Sequence, residues 1–499
     1  MLNSYKILKT STLGAFGRVY WQIFLILFLA LLTNVLSAAQ VGIYSIGKSI
    51  FSTMKPLAIF GLQSSAVRFI PEAREGDRNN LEEIITFLII GVLSFSAIVT
   101  VIVFFNADSI STLLLGNKSN TYIVIAFAVP LIFASTSIVL WFIARSFENY
   151  IFEIISLYFI TPTISAIILG VMYYYNAGLS EYIWMTVLIE CSYLFQAIYL
   201  FRNKLGVRLR FRMPTRLIVK KILKFSFFIT ITGFLVQLLG HMPKLILASL
   251  NEMDDVAYFY VMLSIVAVVN IASGSIASVV EPMFSHSNQS NNKKKIQRGL
   301  YNYSVYFSIL ITGPILILIS IFSNNLLGLF GQEYTKIQNG MEVFSLLFIF
   351  SVLSMPIKKM LIQTGRHRIE LLNIGFDLTL VSVGCYFGYI YYELLGACVG
   401  YGLGMVLGLF NRWIQLHTFF QIKAMNRQNT RILLALLTLL IFSIFGKEII
   451  EFNYVNLLAW ELFGMILYFI YVFNWILSIN EKDFFRVQYL KIKGLYDVR

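Results

Sequence analysis

The chain has 499 residues, 58% of them apolar and 13% charged, with a net charge of +14. Soluble globular proteins are about one quarter charged, so that class is excluded, together with disordered, collagen-like and disulfide-rich chains. What remains is an all-α polytopic membrane protein, in which an excess of 39 basic over 25 acidic residues reflects membrane topology and not nucleic acid binding.

Taken in chain order, the first apolar run extends from about Val19 to Leu36, after Arg18. Its length fits a spanning helix better than the short core of a cleavable signal peptide. A bilayer core of about 30 Å needs about 20 apolar residues per helix. On that rule the chain predicts about fourteen spans, centred near residues 26, 54, 95, 132, 162, 190, 235, 268, 310, 349, 380, 405, 440 and 467. The runs are long and continuous, which excludes the alternating strands of a membrane barrel.

Lysine and arginine set the orientation. With the amino terminus cytoplasmic, 33 of the 39 basic residues fall at cytoplasmic ends and loops. Lys118, Lys244, Lys336 and Lys447 fall outside, and Lys48 and Lys55 inside the second span. Both termini are therefore expected in the cytoplasm of a cell that carries the protein in its inner, cytoplasmic membrane.

Nine basic residues and no acidic one occupy Arg202 to Lys224. This stretch separates an expected first lobe, residues 1–205 with six spans, from a second, residues 225–425 with six more. The basic linker is 206–224, two further spans occupy 426–480, and the tail is 481–499. A shift of 215 residues lays Val41-Gly-Ile-Tyr44 and Ser49-Ile50 on Val256-Ala-Tyr-Phe259 and Ser264-Ile265. A shift of 217 lays Ile151-Phe-Glu-Ile-Ile155 on Arg368-Ile-Glu-Leu-Leu372. An even number of spans per half makes the halves parallel, related by an axis along the membrane normal.

Charged groups inside the bilayer are costly and normally face a wet cavity or a partner. Ser45, Lys48, Ser52 and Lys55 recur at i, i+3, i+7 and i+10, which puts them on one face of the second span. Pro56 follows and is expected to kink that helix. In the seventh span Thr230, Gln237, His241 and Lys244 share a face, and Arg18 and Gln22 lie one turn apart in the first. Asn270 takes the place of Lys55 in the second half. Arg18, Gln22, Lys48, Ser52, Lys55, Gln237, His241, Lys244 and Asn270 are the candidate substrate-binding residues of a net positive lumen. For Lys48, Lys55 and Lys244 the alternative is snorkelling to the headgroups, and for His241 a satisfied place in the core.

Glu190, Glu281, Asp377 and Glu461 are intramembrane acids that could bind H+ or Na+ or could pair with a neighbouring lysine. No site for a coupling ion is assigned, and no cofactor or metal is expected. The glycines at 400, 402, 404 and 408 read as close helix packing, not a phosphate loop, because no strand precedes them. Cys191, Cys385 and Cys398 lie in apolar runs and read as packing residues. No nucleophile and base pair, nucleotide-binding motif or soluble domain stands out, so the expectation is a transporter and not an enzyme.

Gln40-Val-Gly-Ile-Tyr44, Gly61-Leu-Gln-Ser-Ser-Ala-Val-Arg68 and Pro71-Glu-Ala-Arg-Glu-Gly-Asp77 resemble short motifs of the Wzx-like polysaccharide flippases. Val256-Ala-Tyr-Phe259, Glu281-Pro282 and Leu395-Gly-Ala397 add to the likeness in the second half. These flippases are a branch of the multidrug/oligosaccharidyl-lipid/polysaccharide (MOP) exporter superfamily. The resemblance implies a fourteen-helix fold of two pseudo-symmetric lobes, similar to that of the MATE exporters. It also implies flipping of a polyprenyl-pyrophosphate-linked oligosaccharide from the cytoplasmic to the outer leaflet by alternating access. Its partners would be the lipid-linked substrate, the lipid bilayer, and a polysaccharide polymerase with other assembly proteins. One departure is Lys244, where such flippases often carry an acid. A MATE-like exporter of drugs or metabolites, or a membrane glycosyltransferase or polymerase, are the competing readings. The lysines argue against export of cations, and the short outer loops argue against a glycosyltransferase.

Overall fold

The computed structural model describes residues 4–74, 78–147, 150–204, 214–287, 292–450 and 454–476. Residues 206–213 of the expected basic linker and the whole expected tail, 481–499, lie outside the described residues. Among the described residues the secondary structure is helical, without strands.

The helices are α1 (Ser4–Val35), α2 (Ala38–Ile59), α3 (Leu62–Arg74), α4 (Arg78–Phe105), α5 (Ala107–Leu114), α6 (Thr121–Ala128) and α7 (Pro130–Ser146). They continue as α8 (Tyr150–Ile155), α9 (Thr161–Tyr174), α10 (Leu179–Lys204), α11 (Arg216–Ser249), α12 (Met253–Val266) and α13 (Val269–Ser287). The last are α14 (Lys293–Ile321), α15 (Ser323–Gly328), α16 (Gln338–Gln363), α17 (His367–Phe420), α18 (Arg427–Ile449) and α19 (Tyr454–Tyr471).

Eleven helical segments are long and apolar enough to cross a membrane, or twelve if the bent pair α12 and α13 is one span. That count is lower than the fourteen predicted, for identifiable reasons. The 54-residue α17 counts once, although its backbone breaks at Tyr392 and at Glu393, whose φ is 50°. The polar stripe of α2 keeps that helix out of the count, since Lys48 and Lys55 lower its apolarity.

The chain packs as two units. One comprises Met1–Ile265, Leu327–Ile337 and Ile374–Gly404; the other comprises Val266–Leu326, Gln338–Asn373 and Met405–Arg499. In the first, α2 packs against α11, α7, α4 and α6, while α3 packs against α7 and α4. Its core gathers Ile59, Leu62, Ile85, Leu88, Val92, Val139 and Ile143, all buried. In the second, α14 packs against α16, α13 and α18, and α18 against α19, around Tyr301, Ile309, Ile357, Met360, Leu416 and Ile432.

The sequence accounts for the ends of α2. Ser37 and Gln40 form a reciprocal capping box at its start. Pro56 does not stop the helix at once; four residues later Phe60 turns left-handed and its N–H donates to the Pro56 carbonyl. The capping turn is completed by Gly61 at φ +64°.

Gly384 and Gly400 bring two stretches of α17 into backbone contact, as the packing reading of the glycine-rich segment expects. A Cβ on Gly384 would lie 2.5 Å from the Gly400 carbonyl oxygen, and a Cβ on Gly400 would overlap the Gly384 backbone. Gly400→Val should therefore destabilise the detergent-solubilised protein by about 1 to 3 kcal/mol, the usual cost of overpacking. A thermal melt checks this, and an unshifted transition would mean that the two stretches are not in contact.

Candidate functional site

Two helices of the first unit carry the predicted intramembrane lysines. α2 is held close to its neighbours: a Cβ on Gly42 would overlap the Met253 backbone at the start of α12, and Pro56 lies against Gly233 of α11. This seating turns the serine and lysine face of α2 toward α11 and α12.

There, Lys48 Nζ donates to Tyr260 Oη at 3.2 Å, and Lys244 Nζ donates to Ser45 Oγ at 3.2 Å. Both ammonium groups also face the Tyr260 ring, Lys244 at 4.8 Å and Lys48 at 5.8 Å from its centre. Such placement over an aromatic face is an attractive cation–π contact. Tyr44 stands one turn before Lys48, 3.5 Å from the Thr186 hydroxyl.

Lys244 is 2% exposed, which sets aside the snorkelling reading for it. Lys48 is half-buried and held by Tyr260 instead of reaching away from the protein. Lys55 lies 5.1 Å over the Phe51 ring and acts electrostatically on Glu190 of α10. His241 feels the charges of Lys244, Lys48 and Lys55, and its buried Nδ1 has no hydrogen-bond partner among the described residues. The site thus concentrates positive charge. Among the described residues, neither Lys48 nor Lys244 forms an ion pair with a carboxylate.

The structure therefore brings Lys48, Lys55, His241 and Lys244 within electrostatic reach of one another. Ser52 and Gln237 lie half-buried on the same helices, without a side-chain hydrogen bond among the described residues. Arg18 is exposed and Gln22 half-buried on α1, with no hydrogen bond to this cluster. Asn270 is exposed and belongs to the other unit.

Tyr260 is the site residue that sequence reading missed, and the repeat contained the signal for it. The 215-residue shift places Tyr260 on Ser45. The two equivalent positions do equivalent work: Ser45 accepts from Lys244, and Tyr260 accepts from Lys48.

The intramembrane acids are mostly partnered. Glu281 pairs with Lys359 at 2.8 Å and accepts from Gln363, and Glu461 accepts from Ser443 at 2.7 Å. Two further pairs join Glu342 to Lys447 and Arg145 to Glu153, each at 2.6 Å. Among the described residues no cluster of three or more histidine, cysteine or acidic side chains could hold a metal.

A family model described as polysaccharide biosynthesis protein matches residues 7–288, more than half of the chain. No curated protein sequence matches it. Among solved structures it is similar to the lipid II flippase MurJ in an inward closed conformation. The TM-score is 0.72, with 14% identity over 95% of this chain and 100% of that one. It is also similar to an inward-facing multidrug resistance MATE family transporter of the MOP superfamily, with TM-score 0.67, 14% identity and coverage of 82% and 98%. A MOP superfamily transporter from Pyrococcus furiosus, whose binding pocket is described as having reverse polarity, gives 0.61 with 15% identity and coverage of 83% and 95%. At these identities the likeness is one of fold. The chain is a multi-pass membrane protein with the fold of the MOP superfamily, and it belongs to the polysaccharide biosynthesis protein family.

Proposed function

We propose that the protein is a flippase that moves a polyprenyl-pyrophosphate-linked oligosaccharide from the cytoplasmic to the outer leaflet, by alternating access, for cell-surface polysaccharide synthesis. The observation that carries this reading is that, among the described residues, Lys48 and Lys244 donate to the hydroxyls of a tyrosine and a serine and not to carboxylates. A buried cation with neutral partners keeps its charge available to an anionic ligand. A pyrophosphate supplies the missing counter-charge, and so offsets the cost of holding both in a low-dielectric site. The prenyl tail remains in hydrocarbon throughout. Family membership and the fold shared with a lipid II flippase support the same class of substrate. An exporter of cationic drugs is disfavoured, because the lysines would repel its cargo.

On this reading the protein sits in the cytoplasmic membrane with both termini in the cytoplasm. It hands its cargo to a polymerase and other assembly proteins on the outer side. Coupling to H+ or Na+ is part of the proposal only as a driving force, with no residue assigned to it.

The test is flipping of a polyprenyl-pyrophosphate-linked oligosaccharide in proteoliposomes by wild type, Lys48→Ala, Lys55→Ala and Lys55→Arg. Each alanine variant should lose at least about tenfold in rate, the worth of one charge-assisted hydrogen bond. Lys55→Arg should keep most of the activity. If all four proteins flip the lipid equally, these lysines are structural and the substrate lies elsewhere.

A further inference from the structure

The hydroxyl of Tyr260 is committed on one side only. An ammonium group carries donors and no acceptor, so in the contact with Lys48 Nζ at 3.2 Å the tyrosine oxygen accepts. The phenolic proton is then left over, and among the described residues Tyr260 makes no other side-chain hydrogen bond. Its ring meanwhile receives Lys244 at 4.8 Å. One side chain of α12 thus holds a lysine of α2 by its oxygen and a lysine of α11 by its face, and keeps a donor free beside both charges.

Serine at the equivalent position of the repeat does only part of this. Ser45 accepts from Lys244 but has no ring to seat a second cation. The asymmetry makes Tyr260 the residue on which both ammonium groups register. A carboxylate there would neutralise them, and an aliphatic side chain would leave Lys244 without an attractive surface.

We propose that Tyr260 is a binding and positioning residue for the anionic head of the substrate: its hydroxyl proton donates to a phosphate oxygen while the oxygen and ring hold Lys48 and Lys244 on either side. This rests on the flippase reading for the identity of the phosphate, and its chemistry requires only an oxyanion. The polarity of the contact is defined: Lys48 donates to the tyrosine oxygen, which makes the phenolic hydrogen a stronger donor to the anion. Two charge-assisted bonds from the lysines and one from the phenol would then converge on one group. A neutral headgroup would gain little from such an arrangement.

Three proteins test it: wild type, Tyr260→Phe and Tyr260→Leu, each checked for an unchanged melting transition and monodispersity. Tyr260→Phe keeps the ring and removes the hydroxyl. It should raise the KM for the lipid-linked oligosaccharide about tenfold or more, with the maximal rate within about twofold. Tyr260→Leu, which also loses the face for Lys244, should lower the maximal rate as well. Binding of inorganic pyrophosphate to the purified proteins, followed by calorimetry, should weaken in the same order. A tyrosine that merely fills space would show no such split between KM and rate. Equal KM for wild type and Tyr260→Phe overturns the proposal. If the wild type flips no such lipid, the flippase reading fails, and pyrophosphate binding alone decides Tyr260: unchanged affinity in Tyr260→Phe overturns it, and weakened affinity upholds it.

Discussion

Arg412→Met is expected to cost about 3 to 5 kcal/mol of stability, the usual result of stripping the partner from a buried charge, and to leave little folded protein. Arg412 and Glu370 are 1% and 2% exposed at their side chains, and they meet twice: Nη2 to Oε1 at 2.8 Å and Nε to Oε2 at 3.3 Å. Glu370 Oε2 also accepts from Asn373 Nδ2 at 3.1 Å. Asn373 in turn exchanges bonds with Gln415 at 2.8 and 2.7 Å and accepts from Asn411 at 3.0 Å. The pair therefore anchors a polar network that joins the two ends of α17. Without the guanidinium, a carboxylate would stay behind in apolar surroundings with one amide donor. The double variant Glu370→Met/Arg412→Met removes both charges and should recover much of the loss, since well-packed apolar replacements of buried pairs are often neutral. Thermal melting in detergent compares the three proteins. A single variant as stable as wild type would mean that the pair does not stabilise the fold.

This network shows where sequence reading succeeds and where it stops. The 217-residue shift lays Glu370 on Glu153 and Asn373 on Ser156, although neither glutamate is among the intramembrane acids that the sequence singles out. In the first half Glu153 pairs with Arg145, and Ser156 donates to Gln196 at 2.5 Å. The repeat thus reveals which polar positions correspond in the two halves. It does not reveal the partners: Arg145 precedes its glutamate by eight residues, whereas Arg412 follows its own by 42. The same limit applies at the candidate site. The i, i+3, i+7 spacing made the polar face of α2 legible, because a helix of known period converts spacing into direction. Tyr260 lay hidden in the aromatic run Tyr258-Phe-Tyr260, whose letters read as lipid-facing or core residues. Only the packing of three helices gives that tyrosine its two lysines. The crossing count is obscured for a related reason: the lysines that mark α2 as part of the candidate site also make it insufficiently apolar to be counted as a span.

Lys244→Glu should separate transport from stability more sharply than any other change. The new carboxylate would stand at a position where the ammonium it replaces shares Tyr260 with Lys48. It would therefore find a cation nearby, and an ion pair of opposite charges would replace two like charges. The melting transition is expected to stay or to rise. The anionic substrate would meet the opposite balance, with two units less positive charge at the site. A unit charge at 4 Å is worth about 4 kcal/mol at an effective dielectric constant of 20, so transport should fall by more than about a hundredfold. Lys244→Gln removes the charge without reversing it and should fall between the two, and Lys244→Arg should keep flipping within about tenfold of wild type. Rates in proteoliposomes and melts of the same preparations provide the comparison. A lysine that only supports the fold predicts the reverse pattern, in which Lys244→Glu unfolds the protein or leaves both properties unchanged. Stable protein with abolished flipping is the outcome that a substrate-binding lysine requires. On the proposed reading its cause lies in Ser45 and Tyr260, which hold Lys244 by a hydroxyl and a ring face and not by a carboxylate that would cancel its charge.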